Sequence, residues 1–189
     1  MTNRGGSQNR RMEESIRAQL QCIGNSLQAG DDSNLVVWVL EEKLACAQRR
    51  LRRHPVFGGR KPLPPEARTA LIQWVERVIA MGFASIICLS HEKELEYYRP
   101  LQIHPDGLLG LYRAHGLEVE HLGWPDPAHA RTPAEMERRM ALVDRIKVEA
   151  SDALERMPKP VLLHCRSGID RSPPVAAFIA TRHGSQRST

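Results

Sequence analysis

The segment Val161-Leu162-Leu163-His164-Cys165-Arg166-Ser167-Gly168-Ile169-Asp170-Arg171-Ser172-Pro173-Pro174 constrains the fold of this chain more than any other. Its first three residues form a short, wholly apolar run, which reads as a strand buried on both faces. Lys159-Pro160 stops whatever precedes that run. Pro173 and Pro174 fit the first turn of a helix, where missing N–H groups cost little. A buried strand therefore passes into a helix through a tight loop. This is the connection of an α/β fold, with a central, mostly parallel sheet flanked by helices.

The rest of the chain alternates in the same way. Leu35-Val36-Val37-Trp38-Val39 reads as a strand and Lys43 to Cys46 as a second. Leu71, Val75, Val78 and Ile79 mark one face of a helix that follows Pro64-Pro65, runs to Met81 and stops at Gly82. Ala84 to Leu89 is a buried strand, His91 to Tyr98 a helical turn, Asp106 to His115 a helix closed by Gly116, and Leu117 to Leu122 a strand. Thr132 and Glu135 form a capping pair around Pro133, and one apolar face from Met136 to Met157 carries a single long helix to Lys159-Pro160. Met12 to Leu27 is a further helix. Residues 1 to about 11, rich in Gly, Asn, Arg and Ser, are expected to be disordered. The expected organisation is a flexible, partly helical segment over 1–33 and a single domain over 34–189.

The loop after the last strand has a definite chemistry. Backbone N–H groups at a strand-to-helix turn converge into an anion nest, and the helix N-terminus adds positive potential. A free cysteine has a pKa of about 8.5, which such a site lowers. Cys165 occupies that site, and Gly168 permits the tight turn. Arg166, Ser167, Gly168, Ile169, Asp170 and Arg171 supply a cradle, in which the planar fork of Arg171 grips two phosphoryl oxygens. The Ser172 hydroxyl is placed to donate to the departing sulfur, and His164 to orient the loop by hydrogen bonding. Arg166 either widens a basic rim or points outward.

Hydrolysis of a phosphate monoester needs such a nucleophile and cradle, and also an acid for the leaving oxygen. Leu122-Gly123-Trp124-Pro125-Asp126-Pro127 offers one, on a loop after a strand, hinged by Trp and Pro. Read alone, Pro-Asp-Pro is ordinary turn chemistry. Beside the Cys165 loop, Asp126 reads as the group that protonates the leaving oxygen and then activates water. Cys-to-Arg spacing by itself proves little. Cys46-Ala47-Gln48-Arg49-Arg50-Leu51-Arg52 repeats it without glycine or tight-turn chemistry, and reads as coincidence.

These motifs resemble those of the protein tyrosine and dual-specificity phosphatases. Trp124-Pro125-Asp126 is similar to that family's mobile general-acid loop, and His164 to Ser172 to its phosphate-binding signature. Val36 to Leu40 with Lys43-Leu44-Ala45 resembles the first strands of the small dual-specificity enzymes. Ile87-Cys88-Leu89, Glu94-Leu95, Tyr97-Tyr98, Leu108-Leu109 and Tyr112 before Gly116 resemble the cyclin-dependent-kinase-associated branch. The likeness spans residues 35 to 183. It implies a phosphotyrosine-phosphatase-like fold, a phosphocysteine at Cys165, phosphoryl binding by Arg171, and acid–base work by Asp126 beside Trp124. It also implies no metal and no cofactor, and a phosphorylated protein as substrate, at phosphotyrosine and also at phosphoserine or phosphothreonine. Cys88 matches a position that forms a reversible disulfide with the nucleophile in some relatives; a small buried core residue is the competing reading. The sequence departs from the family in three ways. It is short after the signature helix, it carries Asp170 inside the loop as some microbial tyrosine and lipid phosphatases do, and it has no identifiable tyrosine-recognition loop.

The net charge of +5 suits an anionic ligand without choosing among phosphate, phosphoprotein, nucleic acid and lipid headgroup; no nucleic-acid partner is expected. The basic run Arg49 to Lys61, with Arg50, Arg52, Arg53 and Arg60, reads as a dock for an acidic partner or, more commonly, a solvated face. The four cysteines form no CxxC pair and the histidines have no zinc-like spacing. No apolar run approaches a membrane span, and the N-terminus lacks the apolar centre of a signal peptide, so a reducing, cytoplasmic setting is expected. Three alternatives accompany the phosphoprotein reading. One is a phosphoinositide or RNA phosphatase. Another is a rhodanese-type sulfurtransferase, whose cysteine loop is shorter and needs no acid. The third is a non-catalytic phosphoprotein-binding module, which normally lacks the Cys, Arg or Asp present here.

Overall fold

Val161-Leu162-Leu163 lies in the middle of a five-stranded sheet in the computed structural model, which describes residues 4–48, 51–59 and 62–185. The strands are β1 (Val36–Leu40), β2 (Leu44–Gln48), β3 (Ser85–Cys88), β4 (Glu118–His121) and β5 (Val161–Cys165), in the order β1-β2-β5-β3-β4. Only β1 runs antiparallel, against β2; the β2–β5, β5–β3 and β3–β4 pairs are parallel. Every residue of β5 is buried, as parallel neighbours and helices on both faces require. The α/β class expected from the alternation is the one found.

The helices are α1 (Arg4–Gln28), α2 (Arg68–Ala80), α3 (Glu92–Leu95), α4 (Gly107–Ala114), α5 (Pro133–Ala141), α6 (Val143–Arg156) and α7 (Ser172–Ser185). Side chains alternate along each strand, so the sheet feeds two apolar layers. One contains Leu44, Cys46, Ile87, Leu163 and Cys165 and is covered by α1, α6 and α7. The other contains Ala45, Ile86, Cys88 and Leu162 and is covered by α2 and α4.

Two local expectations are corrected. Residues 4–11 are helical rather than disordered, and residues 1–3 lie outside the described residues. Ile16, Leu20 and Ile23 recur at helical spacing and are buried in the first layer. Once that face is anchored, extending the helix toward the N-terminus adds one hydrogen bond per residue at little cost. The single helix expected from Met136 to Met157 is two helices, α5 and α6, meeting at Leu142. Thr132 does cap α5, accepting the Glu135 N–H at 3.2 Å, but Glu135 accepts the N–H of Arg131, at 2.8 Å, rather than that of Thr132.

Of the basic run, Arg49, Arg50, Arg60 and Lys61 lie outside the described residues, while Arg53 donates to Gln28 Oε1 at 2.9 Å. Among the described residues, no helix is long and apolar enough to cross a membrane.

Candidate active site

The parallel strands all present their carboxyl ends at one edge, which is where ligands bind in open α/β sheets. Cys165 is the last residue of the central strand and stands in register with Gln48. The loop beyond it turns at Gly168, whose φ of 73° strains any residue with a β-carbon. A β-carbon there would also lie 2.9 Å from Gln48 Cγ. The Gly168 N–H donates to Cys165 Sγ at 3.2 Å, so one backbone donor already faces the sulfur. Ile169 N–H donates to Ser167 Oγ, and the Ser167 hydroxyl to Asp170 Oδ2, each at 3.4 Å. Asp170 thus braces the loop from within.

Arg171 turns back beneath the loop and has no exposed surface. It holds Glu94 in a bidentate pair, Nη1 to Oε2 at 2.6 Å and Nη2 to Oε1 at 2.9 Å. Nη1 also donates to the carbonyls of Leu89 at 3.2 Å and Trp124 at 2.7 Å, and Nη2 stands 3.5 Å from Asp126 Oδ2. Burial works against this cation. Cys165, Glu94 and Asp126 outweigh it and push its pKa above the ordinary arginine value. Arg171 Nε finds no hydrogen-bond partner among the described residues. A buried donor in that state costs on the order of 1–3 kcal/mol.

Asp126 is buried. Its Oδ1 accepts the Ala128 N–H at 3.0 Å, and its Oδ2 faces Arg171 and, at 3.4 Å, His129 Nδ1. Trp124 fixes the loop at both ends. Its carbonyl receives Arg171, and its indole N–H donates to the Arg139 carbonyl at 2.9 Å. Arg139 in turn donates to the Asp126 carbonyl and to Glu135. The Trp124-Pro125-Asp126 loop is therefore held between Arg171 and helix α5.

Arg166, which sequence left between rim and solvent, turns inward. Its Nε lies 3.9 Å from Glu94 Oε1 and its guanidinium carbon 6.0 Å from the centre of the Tyr97 ring. Above these groups opens a cleft of about 840 Å³, whose walls include Lys93, Glu94, Tyr97, Asp126, Arg138 and Arg166. Cys165 has no exposed surface and is not among the residues that line this cleft. His164 is buried, with Nε2 at 3.3 Å from the Tyr112 hydroxyl and its ring edge-on to Trp74 and Tyr112.

One expected contact is not made. Among the described residues Ser172 Oγ is buried without a hydrogen-bond partner, and the donor to Cys165 Sγ is instead the Gly168 N–H. Cys88 is in register with His164 and lies in the opposite layer from Cys165, so the alternation of the strands turns the two thiols apart. Burial, with a smaller contribution from Cys165, pushes the Cys88 thiol up to about 11 against the pull of Ser90 and Arg171.

Sequence reasoning missed Glu94 as a site residue. The available signal was local: His91 and Glu94 form a capping box at the start of α3, with the His91 N–H donating to Glu94 Oε2 at 2.9 Å. That pattern identifies a helix start but not the arginine the carboxylate meets. Among the described residues, no group of three or more His, Cys, Asp or Glu side chains is placed to hold a metal ion. Comparison with protein-family models and with curated proteins finds no match to this chain.

Proposed function

We propose that this chain is a phosphoprotein phosphatase that works through a phosphocysteine at Cys165, on phosphotyrosine and on phosphoserine or phosphothreonine. One observation carries the reading: Cys165 Sγ receives a loop N–H at the end of the central strand, and buried Arg171, on which the charges of Cys165 and Asp126 both act, stands 3.5 Å from the Asp126 carboxyl group. In the first step the thiolate attacks phosphorus. The P–O ester bond breaks, and the leaving oxygen takes a proton from Asp126. In the second step water attacks the phosphocysteine and gives a proton to Asp126. The S–P bond breaks, and inorganic phosphate and the thiolate are released. Arg171 and the loop N–H groups offset the charge on the phosphoryl oxygens throughout.

A buried acid beside an anion-binding arginine has no use in a persulfide carrier, which disfavours the sulfurtransferase reading. The four cysteines are free thiols, which fits a reducing, cytoplasmic setting for a catalytic thiol. The second reading, a phosphoinositide phosphatase, draws support from the cations on the cleft walls, Lys93, Arg131 and Arg138 among them.

The test is a panel of phosphotyrosine, phosphoserine and phosphothreonine peptides and inositol lipids, with p-nitrophenyl phosphate as a common probe. Release of phosphate from the peptides is expected. Turnover of inositol lipids alone moves the assignment to the second reading, and no turnover of any substrate overturns it.

A further inference from the structure

We propose that α1 positions the phosphate loop, and that Arg17 and Gln48 are the residues through which it does so; this rests on the loop being an anion cradle. In such a cradle the peptide N–H groups turn inward, so some carbonyls of the loop turn outward and need donors of their own. For Ile169 the donor is Arg17 Nε, at 3.0 Å, from the middle of α1. Arg17 is itself steadied one helical turn earlier, where its Nη2 meets Glu13 Oε1 at 2.6 Å.

Gln48 is the second strut. It ends β2 in register with Cys165, is buried, and donates through Nε2 to the Leu20 carbonyl of α1 at 2.7 Å. Its side chain runs between two glycines. A β-carbon on Gly24 of α1 would lie 2.5 Å from Gln48 Nε2, and one on Gly168 of the loop 2.9 Å from Gln48 Cγ. Helix and loop thus approach as closely as the glutamine between them allows. Because Ile16, Leu20 and Ile23 seat α1 in the core, both contacts tie the loop to a rigid body.

The experiment uses the full chain and compares wild type with Arg17→Ala, Arg17→Lys and Gly24→Ala. It measures p-nitrophenyl phosphate turnover, the inhibition constant for orthovanadate, and the thermal midpoint. Arg17→Ala is expected to weaken orthovanadate binding and lower kcat/KM by about tenfold each, with Arg17→Lys recovering most of the loss. Gly24→Ala places a methyl group 2.5 Å from Gln48 Nε2 and displaces the buried amide from the Leu20 carbonyl, a loss that the gain in helix propensity offsets only in part. A purely structural contact therefore predicts a lower thermal midpoint with unchanged catalysis, and the positioning role predicts weaker orthovanadate binding as well. If wild type is active and both alanine variants match it within about twofold, the positioning role is wrong while the phosphatase reading stands. If wild type neither turns over substrate nor binds orthovanadate, the reading of the loop falls, and the positioning role with it.

Discussion

The chain contains the same cysteine-to-arginine spacing twice, and the two copies have different surroundings. Cys165 ends a strand, and its Sγ receives a backbone N–H from the loop beyond. Cys46 lies inside β2, opposite Leu163 rather than opposite Cys165, two residues short of the strand end. Its thiol has no exposed surface, and burial, with a further push from Cys165, drives its pKa far above the ordinary value. The two residues share the same apolar layer, so depth within that layer is not what separates them. What separates them is whether the chain beyond the sulfur is still pairing with a neighbouring strand or has begun to curl. A strand holds its N–H groups in the ladder; a curling loop turns them toward the sulfur.

The sharpest test of that contrast is substitution at each cysteine. Cys165→Ser should lower p-nitrophenyl phosphate turnover by more than about 10⁴-fold while leaving phosphate binding in place. Cys46→Ala should leave kcat near wild type; equal losses at both positions would refute the distinction. The acid gives the next largest effect. Asp126→Ala should slow an alkyl or phenyl phosphate by about 10²–10³-fold and p-nitrophenyl phosphate much less, because a good leaving group needs little protonation. A loss independent of leaving group would show that Asp126 serves only as a structural partner of Arg171.

Glu94→Gln follows. It keeps the shape beside Arg171 and removes the charge, and is expected to lower kcat/KM by about tenfold or more, whereas Glu94→Ala should cost about 3–5 kcal/mol of stability by stranding a buried cation. Unchanged kcat/KM in Glu94→Gln would mean that Arg171 needs no carboxylate to hold its pose.

The smallest effect is on pH dependence of stability. In the folded chain Cys88 titrates at about 11, above the ordinary value of 9.0. The higher value belongs to the folded state, so this contribution is complete below the ordinary value and is lost as pH rises through about 11. The urea midpoint should therefore fall across that alkaline window, and less steeply in Cys88→Ala. Identical slopes would show that the thiol titrates alike in both states.

Much of this architecture was legible because its signals are short-range. Val161-Leu162-Leu163 has to be a buried strand, and Pro173-Pro174 has to begin a helix, whatever lies elsewhere. The pairing of Arg171 with Glu94 was not legible, because it joins the loop after β5 to the start of α3, and no local pattern records which charge a buried carboxylate meets. The Arg17 contact with Ile169 was hidden for the same reason: the helix over Met12 to Leu27 was legible, and what it packs against was not. The break at Leu142 was masked by an apolar periodicity that continues across both helices. Cys88 was legible as a small buried core residue, and it is one, but only the register shows which face of the sheet it joins.

The pairing around Arg171 also has a consequence for how an anion is drawn in. Arg166 and Arg171 are cations, and Glu94 and Asp126 stand against them as their carboxyl partners. The formal charges of these four groups cancel, so an entering phosphoryl dianion meets no net positive charge from the set. Its attraction has to come from the loop N–H groups and from Lys93, Arg131 and Arg138 on the cleft walls. Those three side chains are exposed, and salt screens exposed charges. Phosphate should therefore be held less tightly as ionic strength rises, and the rim, rather than the buried arginine, would set the range over which the anion is felt.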